Sequence, residues 1–359
     1  MPIRKFVIGL CALLCAVGPA SAQRLPIDTD PTPDEQRNIF TFQVENDFFN
    51  PISRSDRDYT SGLRIGWLSP ALPDLPDGMA RLLTFPTFFG EDPVTSVVRR
   101  VGLSIGQNIY TPADTQLSQP IFNDRPYAGW LNASIALQST YKRLDPKTGK
   151  ETPVRLDTLQ LGIGLVGPAA GGEVVQNNFH TLIGVEKSFG WANQLYNEPT
   201  LDLTFDRRWR TGHAILFDNP KLEWDLIPSI GATAGNVAIY GRAGGIVRIG
   251  KDLQADFGPP RVRPALPGSE GFTGEGFGWY FFAGLGGEAV AHNMFLDGNT
   301  AGGNIVHVTH RPFVGEGQVG LAFRYNGVRV TWTQVLRTPE FFERDRWSAF
   351  GSVNVTFRY

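Results

Sequence analysis

The sequence has almost no cysteine. Its 359 residues contain two, Cys11 and Cys15. Without further thiols the chain beyond these positions has no disulfide framework, no cysteine metal site and no cysteine nucleophile. Those three kinds of site are therefore excluded.

A strong charge and a long apolar run are also lacking. The net charge of -2 and the isoelectric point near 6.2 exclude the basic footprint of a nucleic-acid-binding protein. Beyond the N-terminal segment, no stretch approaches the roughly 18 consecutive apolar residues of a membrane-spanning helix. No G-x-S-x-G motif occurs, so the best-known serine-hydrolase signature is missing. A serine nucleophile in another motif stays open.

Residues 1–22 have the pattern of a signal peptide. Arg4 and Lys5 precede an apolar run, and residues 20–22, Ala-Ser-Ala, form the small-x-small pattern of a cleavage site. We therefore expect the mature chain to begin at Gln23 and to have been exported. The segment that follows, residues 23–37, is rich in proline and acidic residues and predicts a flexible periplasmic lead-in.

The rest of the chain, residues 38–359, alternates between polar and apolar residues in about twelve segments, the pattern of β-strands. We see no internal repeat and no domain boundary. The predicted strands are 38–45, 62–68, 101–110, 129–137, 156–166, 200–210, 222–234, 237–249, 278–290, 313–325, 327–337 and 347–359.

A soluble β-sandwich and a transmembrane β-barrel share this periodicity. Two features favour the barrel. A signal peptide permits export to an outer membrane, and the alternating ending Val355 to Tyr359 closes on an aromatic residue, as the assembly signals of outer-membrane barrels do. A closed barrel also satisfies every backbone polar group in lipid. We therefore predict a transmembrane antiparallel β-barrel of about twelve strands with one helical extracellular loop.

That helical loop is expected in residues 167–198, which interrupt the strands with polar, helix-compatible sequence. Gln176 and His180 are four residues apart and so share one face of a helix. Glu186 lies well round the helix from His180. It would meet His180 only if the helix ended near Gly184 or a ligand recruited both side chains. A lone histidine often just packs in a loop, so neighbouring motifs must decide between a structural and a catalytic role for His180.

Neighbouring loops carry side chains with oxygen atoms. Asn, Asp, Thr and Glu oxygens suit Ca²⁺, which accepts irregular shells of about six to eight oxygens. Ordinary turn chemistry is the alternative, and Asp124 with Arg125 could form a structural ion pair. The oxygen-bearing residues are Asn46, Asp47, Asp58, Thr60, Asn123 and Asp124.

Five motifs occur in an order that resembles the lipid A deacylase LpxR family of outer-membrane enzymes. They are VENDFF, DRDYTSGLRIGW, GQNIYTP, NDRPYAGWL and GPAAGGEVVQNNFHTLIGVEK. The agreement spans nearly the whole chain after residue 22 and is densest from 44 to 198. The resemblance implies a barrel of about twelve strands that hydrolyses the ester holding the 3′-acyloxyacyl group of lipid A, with Ca²⁺ as cofactor.

Position by position, His180 matches the general base of that family. Asn46, Asp47, Thr60 and Glu186 match its catalytic and calcium-binding cluster. We accordingly expect His180, Asn46 and Gln176 to be catalytic. The expected Ca²⁺ ligands are Asp47, Thr60 and Glu186.

The sequence departs from the family at one position. The family has a lysine in the loop after the third strand, where this chain has Leu117, and no lysine occurs between Lys5 and Lys142. Arg125 is the candidate replacement, although a planar guanidinium is not equivalent to a mobile ammonium. The departure bears on substrate detail and rate more than on the class of reaction.

Two other functions stay open from sequence. The chain could be an outer-membrane phospholipase, or an inactive barrel with a structural or transport role. A metal pair formed by His307 and His310 is a weaker idea, because no carboxylate motif accompanies them. Under the leading reading the partners are lipid A or lipopolysaccharide and the outer membrane itself, and the protein acts as a monomer without nucleic acid.

Strand counting predicts where the cluster lies. If the chain starts in the periplasm, every connection from an odd to the next even strand is outside the cell. Asn46, Thr60 and His180 all fall in or beside such connections. We therefore expect one site at the outer rim, and we expect the long segments 69–99 and 251–276 to face the periplasm.

Overall fold

The chain folds into one antiparallel sheet of thirteen strands in the part that the structure describes. The structure, a computed structural model, describes residues 31–46, 58–72, 94–144, 149, 151–217, 219, 222–260, 271–274 and 276–359. The strands are β1 (Ile39–Asn46), β2 (Asp58–Leu68), β3 (Ser96–Thr111), β4 (Ala128–Leu144), β5 (Glu151–Val166), β6 (Glu198–Trp209), β7 (Thr211–Ile215), β8 (Glu223–Gly235), β9 (Ala238–Lys251), β10 (Gly278–Asn293), β11 (Phe313–Tyr325), β12 (Val328–Arg337) and β13 (Ser348–Arg358).

The sheet closes on itself. Its first strand pairs with its last, so that Ile39 lies opposite Arg358, and β6 pairs with β8. The short β7 continues the β8 ladder beyond Arg210, which makes β6 and β7 two segments of one strand position. The result is a closed barrel with twelve strand positions, as the sequence predicts.

Alternation along each strand separates an apolar exterior from a polar interior. On β1, Phe40 and Phe42 are exposed, whereas Thr41 and Gln43 are buried. Side chains of successive strand residues point to opposite faces, so the exposed residues form the outer wall. An apolar exterior around a polar lumen is the arrangement of a transmembrane barrel.

The end of the barrel at which the chain begins and ends is called the terminal end. There the segment after β9 turns back into the lumen. Asp256 pairs with Arg248 and Arg329 and accepts a hydrogen bond of 3.2 Å from the Tyr280 hydroxyl. Because these partners belong to three different strands, Asp256 lies inside the barrel. Leu253 is fully buried beside it.

Residues 31–37 also pack at the terminal end. Glu35 pairs with Lys142, and its backbone carbonyl accepts a hydrogen bond of 2.9 Å from Arg100. The predicted signal peptide and the first part of the predicted lead-in lie outside the described residues. The flexibility of the lead-in stays a prediction.

The opposite end, called the site end, carries all the connections from odd to even strand positions. Buried contacts join these loops to one another. Arg125 pairs with Glu340 at 2.7 Å, and the backbone N–H of Tyr196 donates to the side chain of Asn299 at 2.8 Å.

The helices are short. They are α1 (Gly172–Ile183), which confirms the predicted helical loop, and α2 (Met294–Asp297). Single 3-10 turns lie at Pro168–Ala170, Gly190–Asn193 and Leu253–Ala255. Among the described residues no helix is long and apolar enough to cross a bilayer.

Candidate active site

The helix that carries His180 lies against the outer wall of the barrel, not in its lumen. On β3, Leu103 and Ile105 point outward and are exposed. Ile109 has the same parity, yet it is buried in a cluster with Tyr127 and Trp191. The loops that hold these two aromatic residues therefore cover the outer face of the wall at the site end.

Two close contacts hold the start of α1 on this wall. Gly129 of β4 lies against Gly172, since a Cβ atom at Gly129 would be 2.9 Å from the Gly172 nitrogen. Gln107 of β3 donates from Nε2 to the carbonyl of Ala170 at 2.6 Å. The two glycines allow the backbones to approach, and the glutamine fixes the loop before the helix.

His180 is buried in the last turn of α1. The helix ends at Ile183, and Gly184 follows with φ of 73°, a left-handed conformation that favours glycine. The chain reverses there, so that the carbonyl oxygen of Glu186 lies 2.7 Å from His180 Nδ1. The helix thus ends near Gly184, the condition that the sequence set for a meeting of the two residues, but the contact is made by the backbone of Glu186 and not by its carboxylate.

The bond to Glu186 determines the tautomer of His180. A carbonyl oxygen can only accept, so Nδ1 carries the proton and Nε2 keeps a lone pair. This arrangement is suited to a general base, which must accept a proton and then hold it.

Gln176 lies one turn before His180 on the same buried face of α1. The indole nitrogen of Trp191 donates to its Oε1 at 3.0 Å. That bond assigns the amide orientation and directs Nε2 away from the indole. Among the residues that the structure describes, the Gln176 Nε2 atom is buried and has no hydrogen-bond partner.

Asn46 lies on the same side of the wall as α1. Gln43 and Glu45 line the lumen, so the next residue, Asn46, alternates to the outer face. It is paired with Ser61, and Ser61 is paired with Ile109, the residue that Tyr127 and Trp191 cover. The backbone thus brings Asn46 and the α1 loop to one patch of the outer wall.

Of the predicted Ca²⁺ ligands, Thr60 is described only in its backbone and Asp47 is not described. Thr60 is the extra residue of a β-bulge between Tyr59 and Ser61. Bulges are frequent beside active sites, where they redirect side chains. Asp47 lies outside the described residues, so its expected role in metal binding stays a prediction.

The backbone and the side chain of Glu186 have different surroundings. Its carbonyl oxygen orients His180, while its carboxylate is exposed. Of the predicted Ca²⁺ ligands, Glu186 is the one whose side chain is described, and its carboxylate offers the hard oxygen donors that this ion prefers. No group of three His, Cys, Asp or Glu side chains suited to a metal occurs within the described ranges.

A separate cavity of about 120 Å³ lies in the lumen at the site end. Glu45 and Arg64 line it, and both point inward. His292 and His310 also face it, and Asp297 bridges them with contacts of 3.1 Å and 2.6 Å. The barrel wall separates this cavity from His180, so it is not the candidate site.

Arg125 does not replace the missing lysine. It is buried between the loops, pairs with Glu340 and lies over the ring of Phe341. Asp124 accepts backbone hydrogen bonds from Ala113 at 2.7 Å and from Arg125 at 2.8 Å, whereas the Arg125 guanidinium pairs with Glu340. Leu117 remains an exposed apolar residue.

Sequence reasoning missed three residues that build the site: Gln107, Tyr127 and Trp191. Burial raises the pKa of Tyr127 to about 12. Trp191 is fully buried, and its ring lies 5.0 Å from that of Tyr127. A tryptophan beside a glycine in a polar loop indicates a buried aromatic side chain of this kind. The sequence does not show which residue the indole contacts.

Comparisons with known proteins agree with this architecture. A model of the family described as outer membrane protein LpxR matches residues 7–359. The structure of LpxR from Salmonella typhimurium is 22% identical, with a TM-score of 0.69 over 89% of this chain and 99% of that chain. No curated protein matches the chain in sequence.

More distant barrels are also similar. The beta domain of the Bordetella autotransporter BrkA is 9% identical, with a TM-score of 0.41 over 90% of this chain and 98% of that chain. The translocator domain of the autotransporter NalP from Neisseria meningitidis is 11% identical, with a TM-score of 0.36 over 90% of this chain and 88% of that chain. These two are too distant to bear on function.

Proposed function

Because the chain belongs to the family of outer membrane protein LpxR, we propose that it is a lipid A deacylase of the outer membrane. The bond that it cleaves is the ester that holds the 3′-acyloxyacyl group. The outer-membrane location follows from the family and from the closed barrel. The reaction, the general base and the cofactor are our proposal.

The placement of His180 carries the proposal. The imidazole is buried between α1 and the outside of the barrel wall, and Glu186 fixes its tautomer. Exposed apolar residues of the wall, such as Leu131, lie close to Gly129, on which α1 begins. A lipid can therefore reach the histidine laterally from the membrane, which a site in the lumen would not permit.

The hydrolysis needs a proton acceptor. His180 takes a proton from water at Nε2 while the water oxygen attacks the ester carbonyl carbon. The carbonyl of Glu186, which accepts the Nδ1 proton, keeps the ring in place. When the tetrahedral intermediate collapses, the imidazolium returns its proton to the sugar oxygen that leaves. The products are a free 3′-hydroxyl and the acyloxyacyl acid.

The amide of Gln176 is the proposed hydrogen-bond donor to the oxyanion. Its Nε2 is directed by Trp191 and lies on the same helix face as His180. A fixed donor at this place can hydrogen-bond the oxygen on which negative charge develops. Asn46, on the neighbouring strand, is the candidate for positioning the ester.

Ca²⁺ is the cofactor that the family implies. Asp47, Thr60 and Glu186 would hold it through oxygen atoms. When bound, the ion would supply positive charge that stabilises a developing oxyanion.

The decisive test is mass spectrometry of lipid A incubated with the purified barrel and Ca²⁺. Loss of two linked acyl chains from the 3′ position supports the proposal, and a His180→Ala preparation provides the blank. Unchanged lipid A together with release of lysophospholipid from added phospholipid would identify a phospholipase instead. The absence of both products would identify an inactive barrel.

A further inference from the structure

The outer surface of α1 is strongly apolar although it faces away from the protein. Val175, Phe179, Leu182 and Ile183 are all exposed, and Leu182 is exposed to 81%. A contiguous apolar patch of this kind marks an interaction surface more often than a solvated one. The question is what covers it.

The four apolar residues share one flank of the helix. At about 100° per residue they fall within an arc of roughly 100°, next to the buried face that carries Gln176 and His180. The opposite flank is polar apart from Val174. Its polar residues are Glu173, Asn177, Asn178 and Thr181. The helix is therefore amphipathic on the surface that it presents to its surroundings.

This flank is continuous with the lipid-facing wall. The start of α1 rests on Gly129, and the exposed Leu131 lies two residues further along the same strand. Two strand residues span about 7 Å, less than the roughly 10 Å width of a helix. The residue between them, Trp130, lines the lumen, so no outward-facing residue of β4 separates the helix from the apolar wall.

The wall below has a depression of about 520 Å³. The small residue Ala133 lies in it, flanked by Ile105 and Ile163, which are its cross-strand neighbours. Such a depression on an apolar wall accommodates acyl chains.

Residues beside the helix extend the apolar surface. Phe189 and Leu117 are exposed, and the Phe189 backbone is hydrogen-bonded to Thr115 of the same loop as Leu117, at 2.9 Å. Leu117 and Phe189 thus add exposed apolar side chains to the loops that lie beside α1.

We propose that α1 is an interfacial helix whose apolar flank lies among the acyl chains of the bilayer around the barrel, in the leaflet at the site end. Its polar flank then faces the headgroups and water. The inference depends on the membrane location of the barrel and is independent of whether the protein cleaves lipid A.

The test uses fluorophores in the full-length protein with Cys11 and Cys15 replaced by serine. Leu182→Cys and Phe179→Cys place a label on the apolar flank, Asn178→Cys places one on the polar flank, and Leu103→Cys marks the lipid-facing wall. Each variant also carries His180→Ala, so that catalysis plays no part. The labelled barrels are reconstituted into phosphatidylcholine vesicles with plain or mid-chain-brominated acyl chains.

We expect bromine to quench the labels at positions 179, 182 and 103 at least twofold more strongly than the label at 178. Equal quenching at 182 and 178 would overturn the proposal. The proposal would also be overturned if the label at 182 were shielded only at high protein density and were not quenched by bromine. A second copy of the chain would then cover the flank. Neither result depends on deacylase activity.

Discussion

The indole N–H of Trp191 donates to Oε1 of Gln176 at 3.0 Å, and this bond decides which end of the Gln176 amide faces the site. Without the indole, the amide could rotate and present an acceptor where the proposed reaction needs a donor. Trp191 is therefore a positioning residue for the reaction, although it touches no substrate in the proposed scheme.

Substitution of Trp191 tests this relationship. Trp191→Phe removes the donor and retains most of the packing, so we expect kcat to fall about 2- to 12-fold, the value of one hydrogen bond of roughly 0.5–1.5 kcal/mol. KM should change little. Gln176→Leu removes the donor itself, and we expect kcat to fall about 10²- to 10³-fold. Steady-state kinetics on dispersed lipid A measures both.

The two substitutions should not add. In the Gln176→Leu background, Trp191→Phe should have almost no further effect on kcat, because the indole acts through the amide. Full additivity of the two losses would show that Trp191 contributes only packing.

His180→Ala should abolish most of the activity. Loss of a general base costs about 10²- to 10⁴-fold in rate, and one loop imidazole contributes little to a barrel. The variant should keep the heat-modifiable electrophoretic mobility of a folded barrel. His213→Ala, which alters a histidine at the terminal end paired with Glu223, is the matched control and should be fully active. Near-normal turnover by His180→Ala would remove it from the mechanism.

Glu186 separates metal binding from positioning of the base. Glu186→Gln keeps the backbone carbonyl that holds His180 and changes only the carboxylate. We expect the Ca²⁺ concentration for half-maximal activity to rise about tenfold or more, an estimate for loss of one charged oxygen ligand. Activity at saturating Ca²⁺ should be largely restored.

The control for this variant is Glu173→Gln, at the opposite end of α1, which should leave the Ca²⁺ titration unchanged. Excess chelator should stop turnover by the wild type without unfolding the barrel. Undiminished turnover in chelator would exclude Ca²⁺ from the reaction.

Tyr127 makes the loops that cover Ile109 on the outer wall sensitive to alkali. Burial, assisted by the charges of Asp114 and Asp124, raises the pKa of Tyr127 to about 12, against an ordinary value of 10. Its proton is thus held more tightly in the folded state, so its contribution to stability is constant below pH 10 and is lost as the pH rises from 10 towards 12. Cleavage of the α1 loop by an alkaline protease should increase over that window.

Tyr127→Phe should remove this dependence, while Tyr196→Phe, a half-exposed tyrosine in the same loop system, should not. Identical cleavage profiles for the wild type and Tyr127→Phe would assign the alkaline opening to another group.

Orientation in the membrane can be measured on whole cells. With Cys11 and Cys15 replaced, Asn178→Cys should react with an impermeant thiol reagent. Gly276→Cys, at the terminal end, should react only after the outer membrane is opened. A Cβ atom at Gly276 meets nothing within 4 Å, so the substitution is tolerated. The reverse labelling would place the site in the periplasm.

The sequence was sufficient for the barrel because each strand repeats one simple rule. Residues such as Phe40 and Phe42 alternate with polar ones, and period two is visible without knowing the fold. The start of β3 was missed, since the strand begins at Ser96 and not at Val101. There Val97 and Val98 are both buried, so the alternation fails where the strand is covered on two sides.

The site was predictable only in part. The spacing of Gln176 and His180 on a helix follows from the sequence alone, and the meeting of His180 with Glu186 depended on a glycine that the sequence displays. The choice between the outside of the wall and the lumen did not follow, because it depends on Ile109 being covered by Trp191, a contact across 82 positions of the chain. Arg125 was misjudged for the same reason, since its partner Glu340 is distant in sequence.

The way in which Asp256 fills the terminal end bears on the permeability of the cell. Arg248 and Arg329, from separate strands, pair with this one carboxylate inside the lumen. The side chains of Leu253 and Phe272 are buried in the same region. This cluster narrows the lumen beside a cavity of about 680 Å³ that Asp256 and Phe272 help to line. A barrel narrowed in this way should conduct bulky solutes less readily than an open porin, a difference that single-channel conductance would measure.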